Sequence, residues 1–309
     1  MRIFENLDLK LLDKRKITYI ISTVLVLASI GAIFGRGIQY GIDFRGGKEY
    51  VVNFKDAVQV NDVRKALEQP LGGVPEVKIY GDANTLLIRT DSEVPNTEEV
   101  LLGALATEFA GNDFIREKAD VVGPRFAEDL KAGAASSVFW AIVVIFGYIF
   151  IRFMNVKVKR KWTFSVGAVA ALLHDVIITL GIFTMLAGLL PVSRDIDQNL
   201  IAAFLTIVGY SLNDTVVVFD RIREYSNIYK TDTFERMVNR SISSTLSRTV
   251  ITSVTTLFVV LVLFIFGGEV LRGLSLALIV GITVGTYSSI FVASALVVDL
   301  NTKTETVRA

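Results

Sequence analysis

The chain contains no cysteine. That one absence removes disulfides, thiolate nucleophiles and zinc–thiolate sites together, while saying nothing about compartment. It has a single histidine, His174, which excludes a His-rich metal centre. Net charge is only +1, so bulk attraction gives no reason to expect nucleic acid or an acidic partner. Neither a metal nor a cofactor is expected. Charge is also missing from long stretches. The charged residues, 20% of the total, crowd into a few segments and leave several windows of about 20 residues almost free of charge, each enough to cross a hydrocarbon core about 30 Å thick.

What remains is a polytopic membrane protein, with a mean hydropathy of +0.52. Six helical spans are expected at about 17–36, 133–151, 163–188, 197–219, 246–267 and 273–298. The first follows Lys14, Arg15 and Lys16 as a signal peptide would, yet it is too long for one and lacks an A-x-A-like end, so it reads as an uncleaved helix. Lys and Arg gather before span one, after span two (Arg152, Lys157, Lys159, Arg160, Lys161) and after span four (Arg221, Arg223, Lys230, Arg236, Arg240). The short loops on the opposite side offer only Arg194 and Arg272. The positive-inside rule therefore places the tails 1–16 and 299–309 in the cytoplasm and the polar segment 37–132 outside.

That outer segment reads strand–helix–strand–strand–helix–strand, the order of an α+β ferredoxin-like domain. Glu49 to Phe54, Val77 to Tyr80, Thr85 to Arg89 and Phe114 to Val122 carry strand patterns, with a hairpin turn at Gly81 to Asn84. Val60 to Leu71 has helical spacing with Asn61 or Asp62 as cap, and Asn96 or Thr97 starts a helix through Phe109. Nothing in the domain forms a catalytic constellation, so its expected role is contact. The cytoplasmic stretch 221–245 mixes charge with Ile222, Tyr225, Ile228, Phe234 and Met237 and reads as an amphipathic interfacial segment.

Ionisable groups inside spans cost at least about 2.5–3.5 kcal/mol each and need a reason. Away from the span ends there are few: His174 and Asp175 in span three, Asp214 in span four beside Asn213, and Arg248 in span five. Counting from Arg221 and Arg240, Asp214 and Arg248 sit about 10 and 12 Å from the cytoplasmic end, on antiparallel neighbours. A carboxylate beside a guanidinium stays ionised, and one drawn away from it takes a proton, so the pair is a workable proton switch with arginine as the fixed charge. A permanent ion pair that only ties two helices is the plain alternative. Asn213 is a hydrogen-bonding neighbour, either of that switch or between helices.

Asp175 lies about 20 Å from the cytoplasmic end, where the His174–Asp175 pair serves either as an outer proton station or as a helix contact. Ser241, Thr245, Arg248, Thr252 and Thr255 share one face of span five at three- and four-residue spacing. Gly281, Gly285 and Ser289, and likewise Gly31 and Gly35, form stripes of small residues that favour close packing.

These residues resemble the SecF family of protein-export membrane subunits, relatives of the resistance-nodulation-division (RND) transporters. The resemblance rests on Gly41-Ile42-Asp43-Phe44-Arg45-Gly46-Gly47, Val122-Gly123-Pro124, Leu172-Leu173-His174-Asp175-Val176, the run Gly209 to Glu224, Thr245-Leu246-Ser247-Arg248-Thr249, and Gly285 to Phe291. It implies a subunit of the bacterial cytoplasmic membrane that pairs with SecD, works beside the SecYEG channel and YajC, acts on unfolded preprotein among membrane lipids, and draws on the proton gradient. It also marks Asp214 and Arg248 as important for proton use. Gly46-Gly47 keeps a plain reading as a turn into the outer domain. Two rival readings are a proton-driven RND-type exporter of lipid or small molecules, and a passive assembly scaffold. An enzyme is not expected, since no nucleophile–base set occurs, and Asp175 and Asp214 differ in depth by about 10 Å, too far for an aspartyl pair.

Overall fold

A computed structural model describes residues 10–302 apart from 92, 157, 159, 188 and 191. Most of the two tails therefore lies outside the described residues. In chain order the elements are α1 (Arg15–Arg36), β1 (Gln39–Tyr40), α2 (Ile42–Arg45), β2 (Gly47–Phe54), α3 (Val60–Glu68), β3 (Glu76–Tyr80) and β4 (Asp82–Thr90). There follow α4 (Thr97–Glu108), β5 (Phe114–Val122), α5 (Pro124–Arg152), α6 (Thr163–Leu186), β6 (Asp195–Ile196), α7 (Gln198–Ile228), α8 (Phe234–Phe266), α9 (Gly268–Ser288) and α10 (Ser294–Thr302). They divide into two units: one of Met1–Gly37, Ser136–Met185 and Asn199–Ala309, the other of Ile38–Ala135 and Leu186–Gln198.

The first unit is helical. Among the described residues six helices are long and apolar enough to cross a membrane, as the charge-free windows require: α1, α5, α6, α7, α8, and α9 continued by α10. Two of them start well before the charge-free windows. Proline 124 opens α5, a position where its missing N–H costs nothing. Thr233 caps α8, its hydroxyl accepting from Arg236 N at 3.4 Å. The stretch 221–245 is accordingly not a separate interfacial piece. It is the end of α7 and the start of α8, joined over 229–233. Its residues Ile222, Met237, Val238 and Ile242 are buried in the helical core, whereas Ile228 is exposed.

That core is centred on three rings. Phe153, Phe164 and Phe219 lie with centroids 5.0–5.8 Å apart, and Leu12, Ile222, Ile290 and Val297 close around them. Helices α6, α7 and α9–α10 are the most buried, while α1, α5 and α8 keep most of their apolar surface exposed. Glycine lets two contacts come closer than any side chain permits. A Cβ at Gly181 on α6 would overlap Ser29 of α1, and one at Gly281 on α9 would overlap Ile207 of α7. Gly285 packs on Ser211, as its stripe predicts. Gly31 and Gly35 face open space instead, so α1 uses Ser29 for its close approach. Helix α9 passes into a single π turn, Ser289–Ala293, before α10.

The second unit holds a four-stranded antiparallel sheet in the order β3-β4-β2-β5. Tyr50, Val52 and Phe54 of β2 and Leu86 and Ile88 of β4 point to one face, where Val63, Leu67, Leu101 and Leu105 of α3 and α4 cover them. The period of two along the strands sets this face. The hairpin is tighter than its sequence suggests, because Gly81 alone turns the chain at φ +79° and β4 already begins at Asp82. The short β1 and β6 pair in parallel, Gln39 with Asp195 and Tyr40 with Ile196.

Candidate functional sites inside the helical unit

Helix α7 buries Leu200, Ala203, Phe204, Ile207, Ser211, Asp214, Thr215, Val218 and Phe219, a three- and four-residue rhythm that fixes one inward face. Asp214 belongs to that face and is only 3% exposed. Its Oδ2 is buried without a hydrogen-bond partner. Arg248 on α8 is exposed, although it is the cation whose field acts on Asp214. The closed ion pair expected from equal depth is therefore not formed: among the described residues Asp214 has no ion pair within 4.0 Å. Equal depth did not guarantee that both side chains would face inward.

The expected polar face of α8 is also rotated. Ser241, Thr245, Thr249 and Ser253 are buried at strict four-residue spacing, whereas Arg248 and Thr255 are exposed. A four-residue row drifts around a 3.6-residue helix, as happens where helices cross at an angle. Thr252 is half-buried and spends its hydroxyl on its own helix, donating to Arg248 O at 2.9 Å. Ser253 Oγ and Thr286 Oγ1 of α9 are 2.7 Å apart, and Tyr210 of α7 donates to Ser253 at 3.4 Å. Asn213 is exposed, next to Asp214 in sequence but turned to the outside of the helix.

The second pair proves to be well connected. Asp175 is 1% exposed, and its Oδ2 accepts from Ser211 Oγ of α7 at 2.6 Å and from Ser288 Oγ of α9 at 2.7 Å. His174 Nδ1 lies 2.9 Å from Asp175 Oδ1, while its Nε2 is buried without a partner. The imidazole stacks 6.3 Å from Tyr287, whose hydroxyl donates to Thr18 O on α1 at 3.0 Å. Three helices thus meet around one carboxylate, and Tyr287 links the group to α1. Ser211 lies one turn from Asp214 on the same inward face of α7, so the two acidic centres share a helix. Ser211, Ser288 and Tyr287 were not singled out from sequence, since a serine in an apolar span carries no mark of its partner. Among the described residues no group of three or more His, Asp or Glu is placed to hold a metal ion.

Fold and sites define a polytopic membrane protein that keeps two carboxylates deep within its helices. A family model described as protein export membrane protein SecD/SecF, C-terminal, matches residues 103–303, and one described as the SecD/SecF GG motif matches residues 31–58. The chain belongs to this SecD/SecF family of protein-export membrane proteins, on its SecF side. It is 54% identical to the protein translocase subunit SecF of Rhodothermus marinus over 98% of this chain and 96% of that one. It is 38% identical to the SecF subunit of Calditerrivibrio nitroreducens, over 94% and 93%. Among solved structures, SecDF of Thermus thermophilus, a translocon-associated membrane protein, superposes with a TM-score of 0.82 at 34% identity over 97% of this chain. A super-membrane-facing form of SecDF gives 0.69 over 96%. The chain spans 39% of the length of each of those SecDF chains.

Proposed function

We propose that this SecF subunit pairs with SecD and couples proton entry at Asp214 to preprotein export beside the SecYEG channel. Both termini then lie in the cytoplasm, with segment 37–132 outside as a ferredoxin-like contact domain. The observation that carries the reading is a buried carboxylate oxygen on α7 without a hydrogen-bond partner, in the field of an exposed guanidinium on α8. An ionised carboxylate in that position lacks the partner that holds its charge, so the arrangement corresponds to the protonated limb of a cycle. Return of Arg248 toward Asp214 restores the ionised limb and expels the proton. One charge crossing 100 mV supplies about 2.3 kcal/mol, a bias of roughly 40-fold between two conformations.

SecD supplies the cover for the exposed polar groups. Arg248 and Asn213 stand on the outside of the helical unit at membrane depth, where a facing helix bundle satisfies them and lipid does not. His174 and Asp175 act as an anchor that keeps α6, α7 and α9 in register, since three donors already occupy the carboxylate. The test is gradient-stimulated export of a secreted reporter by Asp214→Asn. Loss of the stimulated fraction with basal export retained is expected, and undiminished stimulation refutes the role of Asp214.

A further inference from the structure

Residues 41–47 form far more than a turn. Within their own unit they touch several other segments, Glu76 of β3 through Arg45 among them. Gly41 N donates to Ile196 O at 2.9 Å, and a Cβ on Gly41 would lie only 3.2 Å from that oxygen. Asp43 Oδ2 accepts from Gln198 N at 2.8 Å, so its carboxylate satisfies an orphan amide in the first turn of α7. Gly46 sits at φ +78°, where a Cβ would meet Pro124 Cα at 3.2 Å and Val122 O at 3.3 Å. Gly47 sits at φ +111°, where a Cβ would lie 2.7 Å from Asp91 Oδ1. Both glycines are closed to other residues twice over, by backbone conformation and by space.

A buried charge cluster ties the same region to the sheet. Arg89 of β4 is 4% exposed, and its Nη2 lies 2.7 Å from Glu49 Oε2 of β2 and 3.2 Å from Asp195 Oδ2 of β6. Its Nη1 reaches Glu76 Oε2 at 3.4 Å. Lys78 Nζ adds a second cation 3.4 Å from Asp195 Oδ1, and Ser193 Oγ donates to Asp195 Oδ2 at 3.2 Å. Burial works against the Arg89 charge, yet Glu49, Asp195 and Glu76 outweigh it and raise its pKa. A guanidinium forked between carboxylates fixes both direction and distance, which a single point charge does not.

Asp195 and Ile196 stand just before Gln198, and from there α7 runs unbroken to Asp214 and on to Ile228. A continuous helix whose first residue is held by Asp43 and which carries Asp214 sixteen residues further on is an element able to carry coupling. We propose that residues 41–47 together with the Arg89–Asp195 ion pair form a permanently closed joint that delivers displacement of α7 to the sheet domain, with Asp43 and Arg89 as its positioning residues. The proposal rests on the reading of Asp214 given above and names what its movement acts upon.

A joint that stays closed behaves oppositely to a contact that makes and breaks. Tyr40 and Ile196 are register partners, and the chain has no cysteine, so Tyr40→Cys with Ile196→Cys allows one reversible disulfide. In vesicles carrying the reconstituted export complex under an imposed proton gradient, the oxidised pair exports as well as the reduced one. Loss on oxidation that reductant restores overturns the proposal. Asp43→Ala and Arg89→Met each lower gradient-dependent export about fivefold or more while proton flux persists. Asp43→Asn, whose amide oxygen still accepts from Gln198 N, restores export. Full export in both loss variants, or a parallel loss of flux, overturns the joint. Asp214→Asn in the same vesicles reports on titration alone, so failure of that reading is seen as retained flux and export there, whatever the joint variants do.

Discussion

Replacing Asp175 with alanine removes one acceptor that three side chains share. The carboxylate is 1% exposed and receives Ser211 at 2.6 Å, Ser288 at 2.7 Å and His174 at 2.9 Å. Hydrogen bonds between membrane helices average about 0.6 kcal/mol and reach about 1.7, whereas bonds to a charged group are worth about 1.5–3 kcal/mol. Ser211→Ala or Ser288→Ala leaves the other hydroxyl on Oδ2, so each single change costs about 1 kcal/mol. Asp175→Ala leaves the Ser211 hydroxyl and a ring nitrogen buried without their acceptor, while Ser288 falls back on Gly285 O at 3.2 Å, and costs about 3 kcal/mol. Combining Asp175→Ala with Ser288→Ala therefore costs less than the sum of the two, by about 1 kcal/mol. Unfolding by SDS titration of the purified protein in mixed micelles measures all four corners of that cycle. Additivity to within about 0.3–0.5 kcal/mol refutes the claim that Asp175 holds α9 through Ser288.

Three further outcomes are expected. Gly181→Ala places a methyl group on Ser29 of α1 and destabilises the bundle by about 1–3 kcal/mol in the same titration, with no rescue from Ser29→Ala because the clash includes the Ser29 backbone. Glu76 is pushed upward by burial, but the Lys78 hydrogen bond and the charges of Lys78, Arg89 and Arg45 leave its pKa below the usual 4.5. Its folded form holds the proton less tightly than the unfolded one, so its contribution is full above about pH 4.5 and is lost as pH falls through the folded value. Thermal unfolding followed by circular dichroism between pH 6 and 3 should then fall less steeply for Glu76→Gln than for the unaltered chain. Finally, Asp56→Cys and Lys230→Cys, both exposed, should react with a membrane-impermeant maleimide from opposite sides of sealed vesicles; labelling from one side contradicts the proposed orientation.

Much of the architecture was legible because solvent dictates it. Charge-free windows long enough for a bilayer became six helices, and alternating strands became a sheet with one covered face. Helix starts were less legible: α5 and α8 begin at Pro124 and Phe234, where polar residues continue a helix that hydropathy alone ends early. The sites divide in the same manner. Asp214 is where its residue type demands, on the buried face of α7, but which way Arg248 points depends on the crossing of α8, and no residue count contains that angle. The serines around Asp175 lie 36 and 113 residues away and become partners only through tertiary packing. Gly46-Gly47 looked like a plain turn because their tight contacts, with Pro124 and Asp91, are distant in sequence.

The outward Arg248 also bears on the lone subunit. A guanidinium left at membrane depth costs about 2.5–3.5 kcal/mol, roughly a hundredfold in population, against a copy whose arginine is covered. On the proposed pairing with SecD, that factor is the preference of the covered subunit over the lone one, and a single side chain carries it.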